Sequence, residues 1–321
     1  MAPDRHAYIL AGSVLALLGV ATIIGQILRL TAKTDGGKRT VANLNSRTNA
    51  WWVMAAVFGG AIYAGPLGAV ILFGLVSFFA LREMLTLTPT RRADHHTLFW
   101  AFFVFVPLQY YLVYTRWYGL FSILIPVYGF LFLAIRSTLA GDYTKYMERT
   151  AKVQWGVMIC VYFVSHAPAL LTLQLKDTGW IDGTSNWKLL VWLVITVQIS
   201  DVLQYVWGKL FGKRKIAPNI SPSKTWEGFI GGVLSATGVG VALSFLTPFA
   251  IGPAAAIAFC VVILGFFGGI VMSAIKRDAG VKDYGHLIAG HGGVMDRIDS
   301  ITFAAPVFFH IVRYYYAVPL S

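Results

Sequence analysis

Charge is what this sequence has least of. Only 12% of its 321 residues are charged, against about a quarter in soluble domains, while 57% are hydrophobic and 15% aromatic. A water-soluble globule cannot be built from that composition, so the chain is integral to a membrane. Acids are scarcest: 14 Asp and Glu stand against 26 Lys and Arg, a net charge of +12. In a bilayer protein such an excess marks cytoplasmic loops and anionic partners rather than nucleic acid. Cysteine is nearly missing, and Cys160 and Cys260 both lie inside apolar runs. That excludes a disulfide framework and a cysteine-based zinc site. Solenoid or propeller repeats and low-complexity tails are also lacking.

What is present is apolar sequence in lengths of about 20 residues, enough for a helix to cross the hydrocarbon. Such runs fall near 7–30, 51–64, 67–85, 97–115, 117–135, 154–175, 188–208, 228–247, 252–275 and 301–319. The expected fold is all-α and polytopic, with about ten transmembrane helices. The first run is too long for a signal peptide, and Arg5 is the only Lys or Arg before it. From Ala50 to Leu85 the apolar stretch breaks only around Gly65-Pro66-Leu67-Gly68, so a hairpin and one tilted helix both fit. Basic residues favour the hairpin. With ten spans, alternate loops collect 21 of the 26 Lys and Arg on one side, the cytoplasmic one, and both termini lie outside.

Two of these cytoplasmic loops stand apart. Residues 209–227 combine Lys213, Arg214 and Lys215 with Ser221, Ser223, Lys224 and Thr225, just where the next helix begins. Free amides at a helix N-terminus favour an anion, and hydroxyls with an ammonium strengthen that preference. From the residues alone a helix cap flanked by basic residues that hold lipid headgroups is the reading to prefer, since phosphate-loop spacing is absent. The second loop, 273–300, sets Asp278, Asp283, Asp296 and Asp299 among Lys276, Arg277, Lys282 and Arg297, around His291-Gly292-Gly293. Oxygen ligands suit Mg²⁺, cations neutralise phosphate, and glycine lets backbone approach a ligand. A solvated loop of internal ion pairs is the alternative. Asp201 lies inside the seventh span, where a carboxylate is expensive and faces a polar cavity or a partner. Its position eight residues before Lys209 points it toward both loops.

These residues also carry a resemblance. Ser273-Ala-Ile-Lys276-Arg277, Lys282-Asp283-Tyr-Gly285 and His291-Gly292-Gly293-Val-Met-Asp296-Arg297-Ile-Asp299 resemble the signature of the phosphatidate cytidylyltransferases, or CDP-diacylglycerol synthases. Ser200-Asp201, Gly208-Lys209-Leu-Phe-Gly212-Lys213 and Ser221-Pro222-Ser223-Lys224-Thr225-Trp226-Glu227-Gly228 are similar to the family in order and spacing. The likeness covers roughly 190–310. It divides the chain into N-terminal transmembrane helices, 1–185, and a C-terminal catalytic region, 186–321, with an extra first helix.

The resemblance implies a reaction at the cytoplasmic face of a membrane, with a bacterial inner membrane expected: CTP and phosphatidic acid give CDP-diacylglycerol and pyrophosphate, with Mg²⁺ and room for a second cation. It implies Asp283, Asp296 and Asp299 as metal ligands. Lys276, Arg277, Lys282 and Arg297 would bind phosphates, and His291 would orient one. Ser221, Ser223 and Lys224 form a second anion site beside Asp201, Gly292 and Gly293. Membrane lipids are the surroundings, and a homodimer stays open. Two other readings compete: a CTP-dependent enzyme acting on another lipid phosphate, and a non-catalytic scaffold or transporter.

Departures from the family pattern occur at Gly269 and Met272, where many bacterial members carry acids, and at Ala289, where proline is usual. Other features read as structure. Trp51, Trp52, Trp100, Trp117, Trp187 and Trp192 fit interfacial belts. The pairs Gly59-Gly60 and Gly231-Gly232 fit close helix packing. His95-His96 reads as solvated loop, and His166 with Pro168 as a satisfied polar residue at a kink.

Overall fold

The computed structural model describes residues 5–176, 186–288, 290 and 292–318. Ten helical rods make up most of it. They open with α1 (Arg5–Thr31), α2 (Asp35–Tyr63) and α3 (Gly65–Thr86). Next come α4 (Arg92–Tyr114), α5 (Tyr118–Thr138) and α6 (Tyr146–Thr172). Each of those three contains a π-helical segment, at Ala101–Phe105, Leu124–Gly129 and Met158–Phe163 respectively. The C-terminal part has α7 (Trp187–Phe211), α8 (Trp226–Ala242), α9 (Ile251–Asp278) and α10 (Met295–Tyr316). Between α7 and α8, strands β1 (Lys215–Ala217) and β2 (Ser221–Thr225) pair as an antiparallel hairpin, where a loop was expected.

Seven of the ten rods, all but α2, α8 and α10, are long and apolar enough to cross a membrane. The all-α, multi-pass expectation therefore holds, and the three remaining rods have visible reasons for falling short. The 17 residues of α8 span only about 25 Å at the α-helical rise. The first half of α2 carries Lys38, Arg39 and Arg47, and α10 opens on Asp296, Arg297 and Asp299. Residues 35–50, a basic loop by run length alone, are helical. Thr34 caps them, its hydroxyl accepting from the Gly37 amide at 3.1 Å.

The break between α2 and α3 settles as a hairpin. Gly65 sits at φ +77°, in the left-handed region that glycine adopts freely, and Pro66 occupies the first turn of α3. Beyond this turn the rods share one apolar core, which takes Phe73 and Leu81 from α3, Ile159 from α6, Leu190 from α7, Val261 from α9 and Phe308 from α10. That core spans both sides of residue 185. Cys160 belongs to it, 3.6 Å from the Met84 sulfur and 3.9 Å from that of Met295. Trp192 corrects the belt reading: it is fully buried, its ring stacked on Phe308 with centroids 5.1 Å apart and its Nε1 donating to the Gly240 carbonyl at 2.9 Å.

Small residues decide how near the site-bearing helices come, as expected where lipid supplies no hydrophobic drive for association. A Cβ on Gly268 would lie 2.9 Å from the Asp299 carbonyl, and one on Gly232 would collide with Gln204. The Gly231-Gly232 pair thus packs helices as expected. Gly59 and Gly60 do not, because both face open space. Opposite responses to the same substitution follow. Gly60→Ala should leave thermal unfolding in detergent unchanged or slightly raised, following helix propensity. Gly268→Ala should lower it despite that gain, because the crowding costs about 1–3 kcal/mol.

Candidate active site

The N-terminus of α10 has no capping side chain of its own. Its cap arrives from α3. Glu83 accepts from the Val294 amide through Oε1 and from the Met295 amide through Oε2, each at 2.9 Å, although the residue is only 9% exposed. Amides without a partner in the helix and the positive end of the helix dipole make this a favourable place for a carboxylate. Glycine makes the approach feasible. A Cβ on Gly285 would stand 2.8 Å from Glu83 Oε1, and one on Gly293 would collide with the same carboxylate.

Asp296 folds the rest of this loop. Its Oδ2 accepts from the Tyr284 amide at 2.9 Å and the Gly293 amide at 3.0 Å, while its Oδ1 takes the Lys276 ammonium at 2.8 Å. The two side chains are 4% and 12% exposed. Gly292, at φ +80°, turns the chain beside Asp296, and the Ile288 amide closes the turn on the Gly292 carbonyl at 2.9 Å. The Tyr284 hydroxyl donates to the Met272 carbonyl at 2.9 Å, anchoring the loop to α9.

One turn further along α10, ahead of its apolar stretch, a second pair of carboxylates meets at Ser300. The Ser300 hydroxyl donates to Asp201 Oδ2 at 2.7 Å and lies 3.4 Å from Asp299 Oδ1, which accepts the Ser300 amide at 2.8 Å. Lys224 reaches in from β2, its Nζ 3.3 Å from Asp201 Oδ1 and 3.1 Å from Gln204 Oε1. Burial first, and the Asp201 carboxylate second, push the Asp299 carboxyl up to about 6. Lys276 and Lys224 oppose that rise without cancelling it. Three acids here, Asp201, Asp296 and Asp299, share two ammonium groups. Such a shortfall fits a hard cation. Mg²⁺ takes one or two carboxylates and fills its remaining positions with water and phosphate oxygens.

The other anticipated residues divide by what they touch. Arg277 donates to the Ile220 carbonyl at 3.2 Å through Nε and to Val281 at 2.9 Å through Nη1, fastening the hairpin to the end of α9. Glu227 does the same at the hairpin's base, accepting the Lys213 amide at 3.0 Å and the Arg214 amide at 3.2 Å. Those amides hold its carboxyl below the usual range. Thr225 caps α8, accepting from the Gly228 amide at 3.1 Å. The Nε of Arg297 is buried without a hydrogen-bond partner among the described residues, a donor suited to an anion. Ser221 is half-buried and Ser223 exposed on β2, while Lys282 and Asp283 are exposed beyond α9. His291 and Ala289 lie outside the described residues. Asp283, Asp296 and Asp299 are not brought together, and among the described residues no three His, Cys, Asp or Glu side chains gather as a ligand set. Gly269 faces Ser300: a Cβ there would meet only its Oγ, at 3.6 Å. The carboxylate pair consequently receives no third acid from that position of α9.

Residues 45–315 match the cytidylyltransferase family, a span that holds every residue just named. The chain belongs to that family. As a cytidylyltransferase it is a nucleotidyltransferase, and its apolar helices make it a multi-pass membrane protein. It is 38% identical to the uncharacterized protein YnbB of Escherichia coli, over 93% of this chain and 96% of that one. The phosphatidate cytidylyltransferase of Haemophilus influenzae is 41% identical over 37% of this chain and 44% of its own length. That of Staphylococcus haemolyticus is 38% identical over 52% of this chain and 70% of its own.

In this cytidylyltransferase the residue that sequence reasoning missed is Glu83. Its signal was available as an acid near the end of a strongly apolar run, the feature that had drawn attention to Asp201. Removing the carboxylate should leave the Val294 and Met295 amides without an acceptor, a cost of about 1–3 kcal/mol for a buried donor. Glu83→Ala is accordingly expected to lower the unfolding temperature and to expose residues 284–294 to protease, with Glu83→Gln intermediate. Limited proteolysis with mass mapping reads both effects.

Proposed function

We propose that the enzyme transfers CMP from CTP to phosphatidic acid, forming CDP-diacylglycerol and releasing pyrophosphate, at the cytoplasmic face of a bacterial inner membrane. A phosphate oxygen of the lipid attacks the α-phosphorus of CTP as the bond to the pyrophosphate oxygen breaks. Both reactants are polyanions, so catalysis must come chiefly from positioning and charge neutralisation. The observation that carries this reading is the Asp201–Ser300–Asp299 group, two carboxylates with too little positive charge around them.

Asp201 and Asp299 would hold Mg²⁺, and what it supplies when bound is neutralisation of triphosphate charge. Ser300 keeps the two carboxylates in register. Lys224, already beside Asp201, contributes an ammonium to the same polar space, and the orphaned Arg297 donor is available to a phosphate oxygen. Lys276 is committed to Asp296 and acts by fixing the loop. Exposed Lys282, with Lys213 and Arg214 at the hairpin's base, draws nucleotide from solution.

A second reading, transfer to a different lipid phosphate, is favoured by one observation. YnbB matches nearly the whole chain, whereas the phosphatidate cytidylyltransferases of Haemophilus and Staphylococcus match 37% and 52% of it. Purified protein in detergent, supplied with labelled CTP and a panel of lipid phosphates, separates the two. Nucleotide-linked lipid and pyrophosphate should form with phosphatidic acid and Mg²⁺ and vanish with a chelator. Product from an isoprenoid phosphate alone would favour the second reading. Asp201→Asn and Asp299→Asn should each lower turnover by about a hundredfold or more while the protein stays folded; full turnover in both would refute the site.

A further inference from the structure

Two lysine–aspartate pairs stand at this end of the protein, and they are built differently. Lys276 and Asp296 close to 2.8 Å, with side chains 12% and 4% exposed. Lys224 and Asp201 stop at 3.3 Å, with side chains 24% and 33% exposed. Gln204, one turn along α7 from Asp201, accounts for the difference. Its Oε1 takes the Lys224 ammonium at 3.1 Å, nearer than the carboxylate, and the Phe266 ring centroid lies 5.2 Å from the same nitrogen. An ammonium held between a carboxylate, an amide oxygen and an aromatic face does not collapse onto any one of them.

The amide is itself fixed. Gln204 is buried, and its Nε2 donates to the Ser200 hydroxyl at 2.8 Å. Helix α8 packs closely on its backbone: a Cβ on Gly232 would stand 2.7 Å from Gln204 Cα, and one on Gly228 2.7 Å from the Gln204 carbonyl oxygen. With the donor end anchored and the backbone enclosed, Oε1 is held toward Lys224. Glutamine suits this place because its acceptor is neutral. It competes for the ammonium without adding charge, so Asp201 stays only partly compensated. Of the three Lys224 N–H bonds, two have oxygen acceptors among the described residues and one is left over.

We infer that Gln204 is a positioning residue for cytidylyl transfer: it holds Lys224 off Asp201, which keeps the carboxylate open to Mg²⁺ and the ammonium open to a phosphate oxygen of the nucleotide. The inference rests on the proposed function for the identity of the nucleotide, and adds the residue that keeps these opposite charges from cancelling. Without the acceptor, Lys224 closes on Asp201 as Lys276 closes on Asp296. With an anionic acceptor the metal side responds in the reverse direction. A second carboxylate captures the ammonium, and its added charge favours a divalent cation.

The test uses the full chain in detergent without nucleotide, with Mn²⁺ as the probe and electron paramagnetic resonance of the free ion as the readout. Q204L should raise the Mn²⁺ dissociation constant by about tenfold, and Q204E should lower it by a similar factor. Both should raise KM for CTP by about tenfold, because either change withdraws Lys224 from phosphate. Mn²⁺ affinities that shift in the same direction, or not at all, would mean that Gln204 serves packing alone and would overturn the inference. A Q204E enzyme with the wild-type KM for CTP overturns it too. In a K224M background, with the ammonium gone, Q204L should change Mn²⁺ affinity no further; a fully additive loss is the contrary result. Q204E keeps the volume of the side chain, so it decides the matter should Q204L not fold. If no lipid phosphate supports turnover while Q204L and Q204E still move Mn²⁺ affinity in opposite directions, the cytidylyl-transfer reading fails and Gln204 stands as the residue that spaces Lys224 from Asp201.

Discussion

A buried carboxylate at the start of a helix holds the reactive end of this enzyme together. Glu83 loses most of its hydration inside the protein, a cost that only good hydrogen bonds can offset. It finds them in the Val294 and Met295 amides, which themselves would be unsatisfied without it. Each side of that contact thus needs the other. Because Glu83 sits on α3 and the amides on α10, the contact also joins residues far apart in sequence. Residues 1–185 therefore supply an interior anchor for the signature loop as well as a membrane scaffold.

Four acids at this end have separate fates, set by what reaches them. Glu83 is satisfied by peptide amides, and Asp296 by two amides and Lys276. Asp201 and Asp299 share a serine hydroxyl and the partial attention of Lys224. Only the last two are left with uncompensated charge, which is why burial and mutual repulsion raise Asp299. A carboxylate whose neighbours already neutralise it shapes a loop. One whose neighbours do not can receive a cation.

Much of this was legible in the residue string, and the gaps have physical causes. Apolar run length located the helical rods, seven of them long and apolar enough to span, since lipid leaves a spanning segment little other choice. The polar signature pointed to Asp201, Asp296 and Asp299, which the fold brings together at the start of α10. What run length does not register is how an acid is satisfied. Asp283 and Asp296 look alike in a string, yet one is exposed and the other enclosed by amides more than two residues away. Glu83, between Arg82 and Met84, reads as the polar end of a span because its partners lie 211 and 212 residues ahead. Trp192 was misassigned for a related reason. Its distance from a span end suggested an interface, and only the crossing with α8 supplies the Gly240 carbonyl that lets an indole N–H be buried.

The two proposed substrates differ in where they can come from. CTP is confined to water, and the hairpin between α7 and α8, held by Arg277 and Glu227, carries exposed basic residues. A lipid phosphate is confined to the bilayer surface. Arg277 ties the hairpin to the end of α9, where the loop folded by Asp296 and Glu83 begins. A rigid loop is what such a meeting requires, because two polyanions repel and will not align themselves. The rigidity comes from Asp296 and Glu83, which spend their charge on backbone amides to hold a surface against which both reactants can be placed.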